Sequence, residues 1–262
     1  MNTTGNTILI TGGGSGIGRG LAEAFHALGN QIVIAGRSQK KLDETTSANP
    51  GMKALTVDMG DAGSIQSFAA QAAQGFPTLN VLINMAGVMH NEKLMGQTDS
   101  AVAEATVATN LLGPIRLTAA LLPALLKQPR ATVMNVTSGL AFVPLFMTPT
   151  YCATKAAIHS YTQSLRYQLK DTAVEVLELV PPYVQTGLMG ERQASDPHAM
   201  PLAGYITEVM EILKTQPGAT EICVERVKAQ RFAERCGGYD AFFQNFNDMM
   251  AKARHAEMPS AN

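Results

Sequence analysis

Cysteine is scarce in this sequence, and its three cysteines are Cys152, Cys223 and Cys236. They are odd in number, widely spaced and outside any C-x-x-C motif, which argues against a disulfide framework and against a zinc site. Cys152 follows a tyrosine and could be taken for a nucleophile, but a small buried thiol is the commoner role for such a residue. We therefore expect three reduced thiols.

An excess of charge is also absent, because 20 basic and 21 acidic residues leave a net charge of −1. This balance argues against nucleic-acid or anionic-membrane binding and favours a small-molecule partner. The longest apolar run, 119–126, contains Pro123 and is too short to span a bilayer, and residues 1–5 are short and polar, unlike a signal peptide. We expect a cytoplasmic protein that binds neither membranes nor nucleic acid.

What the sequence does contain is an alternation of apolar, β-branched runs with longer helical patterns. The predicted strands are 7–11, 31–35, 54–57, 81–85, 131–137 and 174–180, with 221–227 as a last strand. The predicted helices are 17–28, 39–48, 62–75, 100–126 and 151–170. Because the strands are continuously apolar, both faces of the sheet should be covered. We therefore predict one α/β domain over 1–262, a Rossmann-type doubly wound parallel sheet of seven strands with helices on both faces.

A glycine-rich loop at 11–18 joins the first predicted strand to the first helix. Gly12 would make the tight turn, Gly16 would let the backbone approach a pyrophosphate, and Gly18 would allow close packing of helix on strand. The pyrophosphate would face the free N–H groups of a helix N-terminus. A lone glycine loop is more often a flexible turn, but the flanking strand and helix favour a dinucleotide site.

The end of the second strand decides between NAD and NADP. An NAD-binding domain carries an acid there for the ribose 2′-hydroxyl, whereas this chain has Arg37 and Ser38, and its next carboxylate is Asp43. A guanidinium fits a 2′-phosphate, so the sequence favours NADP. The alternative is that Arg37 is an ordinary solvated charge of a loop.

Polar and small residues follow the third and fourth strands. Asp58 could accept a hydrogen bond from the adenine amino group, or it could cap the next helix. Asn84 ends the fourth strand, where an amide can tie strands together, and Ala86 and Gly87 let the chain pass close to a cofactor. Gly87 alone would indicate only a turn.

Tyr151 and Lys155 are one turn apart on a predicted helix and should be neighbours on one face. The cation favours phenolate, so the pair could act as an acid/base at neutral pH, with the hydroxyl of Ser138 beside it. The ordinary alternative is a lysine that snorkels beside an aromatic ring. Asn110 lies in the middle of the predicted helix 100–126, close to glycine and proline, so we expect a kink that exposes a carbonyl there.

Together these motifs resemble the short-chain dehydrogenase/reductase family over about residues 5–190. The resemblance implies that Tyr151 is the general acid/base, that Ser138 orients a carbonyl, that Lys155 holds the nicotinamide ribose and tunes Tyr151, and that Asn110 positions a water in a proton relay. The expected cofactor contacts are Gly12, Gly14, Ser15, Gly16, Ile17, Gly18, Arg37, Ser38, Asp58, Met59, Asn84, Ala86, Gly87, Tyr151, Lys155, Pro181, Val184 and Thr186. No metal is expected.

Three departures from the family pattern stand out. Met85 replaces the second asparagine of Asn-Asn-Ala-Gly, a change that should leave the chemistry intact. Pro181-Pro182 replaces Pro-Gly and stiffens the loop, while Thr186 could still reach the nicotinamide carboxamide. The ending, with 231–235 in place of a glycine pair, resembles bacterial members linked to teichoic-acid alanylation clusters.

The resulting hypothesis is an NADP-dependent oxidoreductase, a carbonyl reductase that moves a hydride between nicotinamide and a carbonyl or secondary alcohol. Apolar residues around the predicted site, such as Leu140, Phe146 and Leu188, suggest a hydrophobic ketone, although any core contains such residues. The alternative is a non-catalytic dinucleotide sensor or scaffold. Such a protein could lose the four catalytic residues, but this sequence has all four, which favours an enzyme. A less favoured alternative is an epimerase or dehydratase, because these enzymes usually have a glycine spacing different from the one seen here and a longer C-terminal domain.

Further expectations concern the helices and the C-terminal part of the chain. Helices 100–126 and 151–170 carry surplus apolar surface, and related enzymes pair them across a two-fold axis, which predicts a homodimer or homotetramer. We expect a substrate lid at about 187–215 and an aromatic tail at about 228–262. The tail should contain a helix from near Tyr239 that docks either on its own domain, or as a lid or subunit contact beside 188–200. Its apolar residues are Phe242, Phe243, Phe246, Met249, Met250 and Ala253.

Overall fold

A seven-stranded parallel sheet forms the centre of the molecule, in the strand order β3-β2-β1-β4-β5-β6-β7. The structure is a computed structural model that describes residues 1–95 and 100–255, with side chains as far as 252. The strands are β1 (Thr7–Thr11), β2 (Gln31–Gly36), β3 (Lys53–Thr56), β4 (Leu79–Asn84), β5 (Ala131–Val136), β6 (Val174–Val180) and β7 (Glu221–Cys223). The predicted doubly wound fold is confirmed.

Helices cover both faces of this sheet, which explains the continuous apolar runs of the strands. They are α1 (Gly16–Ala27), α2 (Gln39–Ala48), α3 (Ala62–Gly75), α4 (Ser100–Val107), α5 (Gly113–Leu125), α6 (Pro149–Gln168), α7 (Glu191–Ser195), α8 (Leu202–Thr215), α9 (Lys228–Arg231) and α10 (Tyr239–His255). One core layer packs α1, α2 and α8 on the sheet. The other packs α3, α5 and α6.

The predicted helix 100–126 is not continuous. A π-helix, Ala108–Leu112, separates α4 from α5 and contains Asn110. Gly113 follows it in a close approach to Met59, whose carbonyl oxygen would lie 2.6 Å from a Cβ at that position. The interruption therefore occurs where the sequence predicts a kink, and its cause is a contact with the loop after β3 together with the hydrogen bonds of Asn110 described below.

The last predicted strand was too long. The strand β7 ends at Cys223, and a 3-10 turn, Glu225–Val227, follows it. Val224 and Val227 are both completely buried in the core, so their apolar character reflects packing of a turn and not a strand. The tail helix begins at Tyr239, as predicted, while the side chain of Ala253 and residues 256–262 lie outside the described residues.

The segment Ser100–Leu125 is long and apolar enough to cross a membrane by length and composition alone. In this fold it forms α4, the π-helix and α5. Leu117, Leu121 and Leu125 of α5 are completely buried in the core layer that also contains α3. The buried leucines of α5 therefore account for part of the apolar face of this segment.

The strand order reverses between β1 and β4, because β2 lies on one side of β1 and β4 on the other. At such a point the loops that follow the two strands diverge and leave a crevice at their carboxyl ends, where doubly wound proteins bind ligands. The loop after β1 is the glycine-rich loop 11–18, and the residues after β4 include Ala86 and Gly87.

Candidate active site

A cavity of about 470 Å³ lies at the carboxyl ends of the strands and collects most of the predicted site residues. The catalytic residues on its wall are Ser138, Tyr151 and Lys155. The expected cofactor contacts on its wall are Gly12, Gly14, Ser15, Gly16, Ile17, Gly18, Arg37, Ser38, Met59, Ala86, Gly87, Tyr151, Lys155, Pro181, Val184 and Thr186. Asp58, Asn84 and Asn110 are not on this wall.

The glycine loop has a backbone that only glycine adopts easily at two positions. Gly12 and Gly16 have φ angles of +71° and +53°, in the left-handed region. A Cβ on Gly12 would lie 3.0 Å from the Cα of Ala86, and one on Gly18 would collide with the carbonyl oxygen of Gly12. Side chains at these positions would therefore fill the cradle between β1, β4 and α1.

Thr11 fixes this loop to the neighbouring strand. Its hydroxyl oxygen accepts hydrogen bonds of 3.0 Å from the backbone N–H groups of both Met85 and Ala86. Ser15, the N-cap residue of α1, makes no side-chain hydrogen bond to the helix, so the first N–H groups of α1 remain available to an anion. The cradle and the open helix end together fit the pyrophosphate of a dinucleotide.

The far end of the cavity is cationic. Arg37 and Ser38 line it beside Lys41, and no residue on the described wall is acidic. Ser38 caps α2 by accepting a hydrogen bond from the backbone N–H of Lys41. Sequence reasoning missed Lys41, although its position in the first turn of a helix, four residues after Arg37, is a usable signal.

Asp58 and Asn84 have structural partners outside the cavity. The Asp58 carboxylate accepts a hydrogen bond of 2.9 Å from the N–H of Gly60, and Asp61, not Asp58, caps α3. Asn84 donates to the side chains of Asn135, at 2.8 Å, and Thr118, at 3.0 Å. Asn84 therefore ties β4 to β5 and α5, one of the roles considered for it from the sequence.

Asn110 braces the chain that follows β4. Its side-chain amide donates to the carbonyl oxygen of Val88 at 2.8 Å and accepts from the N–H of Val88 at the same distance. A single-turn π-helix is frequently found at functional sites, and here it points the amide at the cavity wall. The neighbours Thr109 and Val88 line the cavity themselves. Participation of Asn110 in a proton relay stays a prediction.

Tyr151 lies in the first turns of α6 and is 7% exposed. Burial raises the pKa of its phenol to about 12, and a hydrogen bond with Ser138 opposes that rise. The Ser138 hydroxyl oxygen already accepts from the N–H of Leu140 at 3.1 Å, so its proton is free to be donated to the phenol oxygen. At neutral pH Tyr151 is thus a neutral phenol, the form that can give a proton away.

Lys155 lies one turn further along α6 and is almost completely buried. Burial lowers the pKa of its ammonium to about 8. The ammonium donates a hydrogen bond of 2.8 Å to the carbonyl oxygen of Val136, at the end of β5, and lies 5.6 Å from the centre of the Tyr151 ring. It therefore stands between the serine-bearing strand and the tyrosine.

The expectation that Lys155 favours the phenolate of Tyr151 is not met in this structure. Removal from water dominates both groups, because it penalises the charged form of each, and the rise in the Tyr151 pKa exceeds any attraction to the ammonium. The two residues are adjacent as predicted, but their shared burial keeps the resting Tyr151 side chain in its neutral, protonated form at neutral pH.

The loop after β6 forms one side of the cavity. Val184, Thr186 and Leu188 line it, and Gln193 of α7 holds it in shape. The Gln193 amide donates to the carbonyl of Val184 at 2.9 Å and to the Thr186 hydroxyl at 3.1 Å. No sequence motif singled out Gln193. Within the predicted lid 187–215, α8 belongs to the main core layer, so the segment beside the cavity is the part before it.

The tail helix α10 packs on its own domain, one of the positions considered for it from the sequence, and a lid or subunit contact beside 188–200 stays a prediction. Phe246 and Met250 pack on a small apolar cluster that contains Leu145, Tyr151 and Cys152. Asn247 anchors the contact, because its side chain accepts from the N–H of Phe146 at 2.8 Å and donates to the carbonyl of Pro144 at 3.1 Å. The helix therefore covers the cluster from the side of the Ser138 turn.

Comparison with known proteins agrees with this geometry. A sequence profile of the short chain dehydrogenase family matches residues 6–197. The chain belongs to the short-chain dehydrogenase/reductase family. The uncharacterized oxidoreductase DltE of Bacillus subtilis (strain 168) is 39% identical over 253 residues, which cover 94% of this chain and 98% of that protein. The protein is therefore an oxidoreductase of this family.

More distant relatives share the same architecture. Dehydrogenase/reductase SDR family member 7B of Bos taurus is 32% identical over 191 residues, 69% of this chain and 58% of that protein. A short chain dehydrogenase of Burkholderia cenocepacia, solved in complex with NADP, superposes with a TM-score of 0.79 at 24% identity and covers 93% of this chain and 99% of that one. One from Burkholderia phymatum, in complex with NAD, has a TM-score of 0.78 at 20% identity, covering 90% and 95%.

The burial of Lys155 predicts a pH-dependent stability cost. Its folded pKa, about 8, lies below the ordinary value of 10.5, so the cost is complete below pH 8 and disappears as the pH rises through 10.5. We expect Lys155→Met to stabilise the cofactor-free protein at pH 7 by about 1–2 kcal/mol, since a desolvation cost of about 3 kcal/mol is partly offset by the lost hydrogen bond to Val136.

Thermal unfolding of the two proteins at pH 7 and pH 10 measures this difference. The melting temperature of Lys155→Met should exceed that of the wild type by a few degrees at pH 7, and the gap should shrink at pH 10. The control is Lys170→Met, which removes an exposed lysine just after α6 and should leave the gap near zero. A Lys155→Met gap that is negative, or equal at the two pH values, would contradict the argument.

Proposed function

We propose that this protein is an NADP-dependent oxidoreductase that moves a hydride between nicotinamide and a carbonyl or secondary alcohol. The observation that carries the proposal is the convergence of Ser138, Tyr151 and Lys155 with the glycine cradle on one cavity wall. When bound there, a nicotinamide dinucleotide would accept or supply the hydride. The protein would bind, orient and protonate the other reactant.

The roles of the three residues follow from their surroundings. The neutral phenol of Tyr151 gives its proton to the substrate oxygen during reduction of a carbonyl, and takes it back in the reverse direction. The Ser138 hydroxyl borders both the phenol and the cavity, so it would turn its one proton from the phenol to the substrate oxygen and orient that oxygen by a hydrogen bond. Lys155, which lines the cavity, would hold the nicotinamide ribose of a bound cofactor and return a proton to Tyr151.

The preference for NADP rests on the cationic end of the cavity. Arg37 and Lys41 both line it, whereas a carboxylate for the ribose 2′-hydroxyl of NAD is missing from its described wall. A 2′-phosphate carries the charge that two cations can neutralise. The neighbours of known structure bind NADP in one case and NAD in another, so the argument depends on these side chains and not on the comparison.

The proposed substrate is a hydrophobic ketone or alcohol. Met89 and Leu188 line the cavity near the catalytic residues, and Met89 and Leu140 also pack on the cluster that contains Tyr151. We further propose that the protein is cytoplasmic and forms a homodimer or homotetramer through the two long helical segments, α4–α5 and α6. Lid function for residues 187–200 stays a proposal as well.

Replacement of Tyr151 by Phe tests the chemistry directly. The ring keeps its packing but loses the proton donor, so we expect kcat for ketone reduction to fall by about 10²- to 10⁴-fold. The affinity for NADPH, measured by fluorescence titration, should stay within about twofold of the wild type because the cradle is untouched. Turnover by Tyr151→Phe near the wild-type rate would exclude Tyr151 as the proton donor.

A charge reversal at Arg37 tests the cofactor preference. Arg37→Asp should weaken NADPH binding by about 10- to 150-fold, the value of a charge-assisted contact, and leave NADH binding equal or tighter. The matched control is Lys40→Asp, which makes the same change three residues later at an exposed position that does not line the cavity. A wild-type protein that prefers NADH would overturn the assignment.

The docking of α10 predicts a role in substrate selection. Phe246→Ala removes apolar contact from the cluster around Tyr151, so we expect KM for bulky ketones to rise by about 5- to 30-fold, with KM for small ketones and NADPH affinity unchanged. Met249→Ala, on the same helix but 59% exposed, is the control. Equal KM values for bulky ketones in wild type and Phe246→Ala would leave α10 as ordinary domain packing.

A further inference from the structure

A carboxylate is completely buried behind the candidate active site. Glu178 lies in the middle of β6 and is 0% exposed. Its oxygens accept hydrogen bonds from the Thr137 hydroxyl, at 2.8 Å, and from Nδ1 of His159, at 2.9 and 2.8 Å. A buried carboxylate is costly unless hydrogen-bond donors surround it, so the positions of Glu178, Thr137 and His159 depend on one another.

The two donors belong to the two elements that carry the catalytic residues. Thr137 directly follows β5 and precedes Ser138. His159 lies on α6, one turn after Lys155 and two turns after Tyr151, so all three share one side of that helix. Glu178 therefore connects the serine strand to the tyrosine helix through two hydrogen-bonded contacts.

The short 3-10 turn after Ser138, called the serine turn below, is also in contact with His159. Phe142 closes the 3-10 turn that begins after Ser138. Its ring contacts the His159 ring edge-on, at 4.8 Å between centroids, and the Arg231 guanidinium lies 4.4 Å from its centre. Arg231 in turn binds the Glu221 carboxylate with hydrogen bonds of 2.7 and 2.8 Å. Thr137 before Ser138 and Phe142 after it thus both contact side chains of one polar cluster, which β6, β7, α6 and α9 supply.

A metal ion is the competing explanation for this cluster. The ligand atoms of His159, Glu178 and Glu221 lie within 4.8 Å of one another. However, Arg231 already occupies both oxygens of Glu221, and the pKa of the guanidinium is raised, first by those hydrogen bonds and to a smaller degree by the charge of Glu178. A cation would have to displace the guanidinium, so the cluster is better described as two carboxylates neutralised by the protein itself.

We propose that Glu178 is a positioning residue that sets the distance between Ser138 and Tyr151 by holding Thr137 and His159. This inference rests on the proposed function, because the distance matters only if the serine and the tyrosine act on one substrate oxygen. Misplacement of reacting groups by about 1 Å can cost about 10²-fold in rate, although the binding site for the cofactor is unchanged.

The test is Glu178→Gln. The amide keeps the shape of the side chain, but its NH₂ group cannot accept a hydrogen bond, so either Thr137 or His159 loses its acceptor. We expect kcat to fall by about 10- to 100-fold, with KM and the dissociation constant of NADPH within about twofold of the wild type. Glu175→Gln is the matched control on the same strand, since Glu175 pairs with the N-terminal amine at 2.8 Å and should have wild-type kcat.

Two further variants test the connection. Thr137→Val removes one donor, and combining it with Glu178→Gln should cost less than the product of the single losses because both break the same contact. His159→Leu should lower kcat, and His159→Gln should recover part of it because its amide N–H can donate to Glu178. These His159 variants decide the question if Glu178→Gln does not fold.

Several outcomes would overturn the inference. They are wild-type kcat in folded Glu178→Gln, independent effects of the Thr137 and Glu178 changes, or equal kcat in His159→Leu and His159→Gln. A stoichiometric divalent ion in the purified protein, lost on Glu221→Gln, would replace it with a metal site. Absence of turnover by the wild type with any ketone or alcohol would instead contradict the proposed function.

Discussion

The candidate active site depends on one buried ammonium. Lys155 donates to the carbonyl of Val136 at the end of β5, and this contact places α6 against the strand that leads into Ser138. Tyr151 lies one turn before Lys155, so fixing the lysine also fixes the phenol beside the serine hydroxyl. The placement of the catalytic residues therefore depends first on how α6 packs against β5.

Seating a cation there has an energetic consequence. The ammonium and the phenol are both withdrawn from water, which penalises their charged forms by lowering the pKa of Lys155 and raising that of Tyr151. A domain gains nothing in stability from such an arrangement, and natural proteins tolerate it where function requires it. The large apolar layers on both faces of the sheet supply the stability that this site does not.

The C-terminal part of the chain, after the family match at 6–197, surrounds this site from two directions. Arg231 of α9 contacts Phe142 at the end of the serine turn and binds Glu221 of β7, so both residues extend the Glu178 cluster. The helix α10 packs on the apolar cluster around Tyr151, and the side chain of Asn247 holds it there by a hydrogen bond to Pro144. Residues outside the family match therefore contact both the Glu178 cluster and the apolar cluster around Tyr151.

Local patterns in the sequence were sufficient for the fold and for the centre of the site. The apolar runs determined the parallel sheet, the glycines of 11–18 determined the turn into α1, and the spacing of Tyr151 and Lys155 placed them on one face of a helix. Each of these depends on residues within a few positions of one another. That is why they could be predicted.

Tertiary structure alone decided the rest, because the decisive contacts join residues far apart in the chain. The π-helix at Asn110, the tie of Asn84 to Asn135, the place of Gln193 and the docking of α10 all depend on partners 9 to more than 100 positions away. The protonation of Tyr151 depends on burial, which no spacing encodes. The sequence by itself determined which groups are available, and the packing of the chain determined how each of them is charged and held.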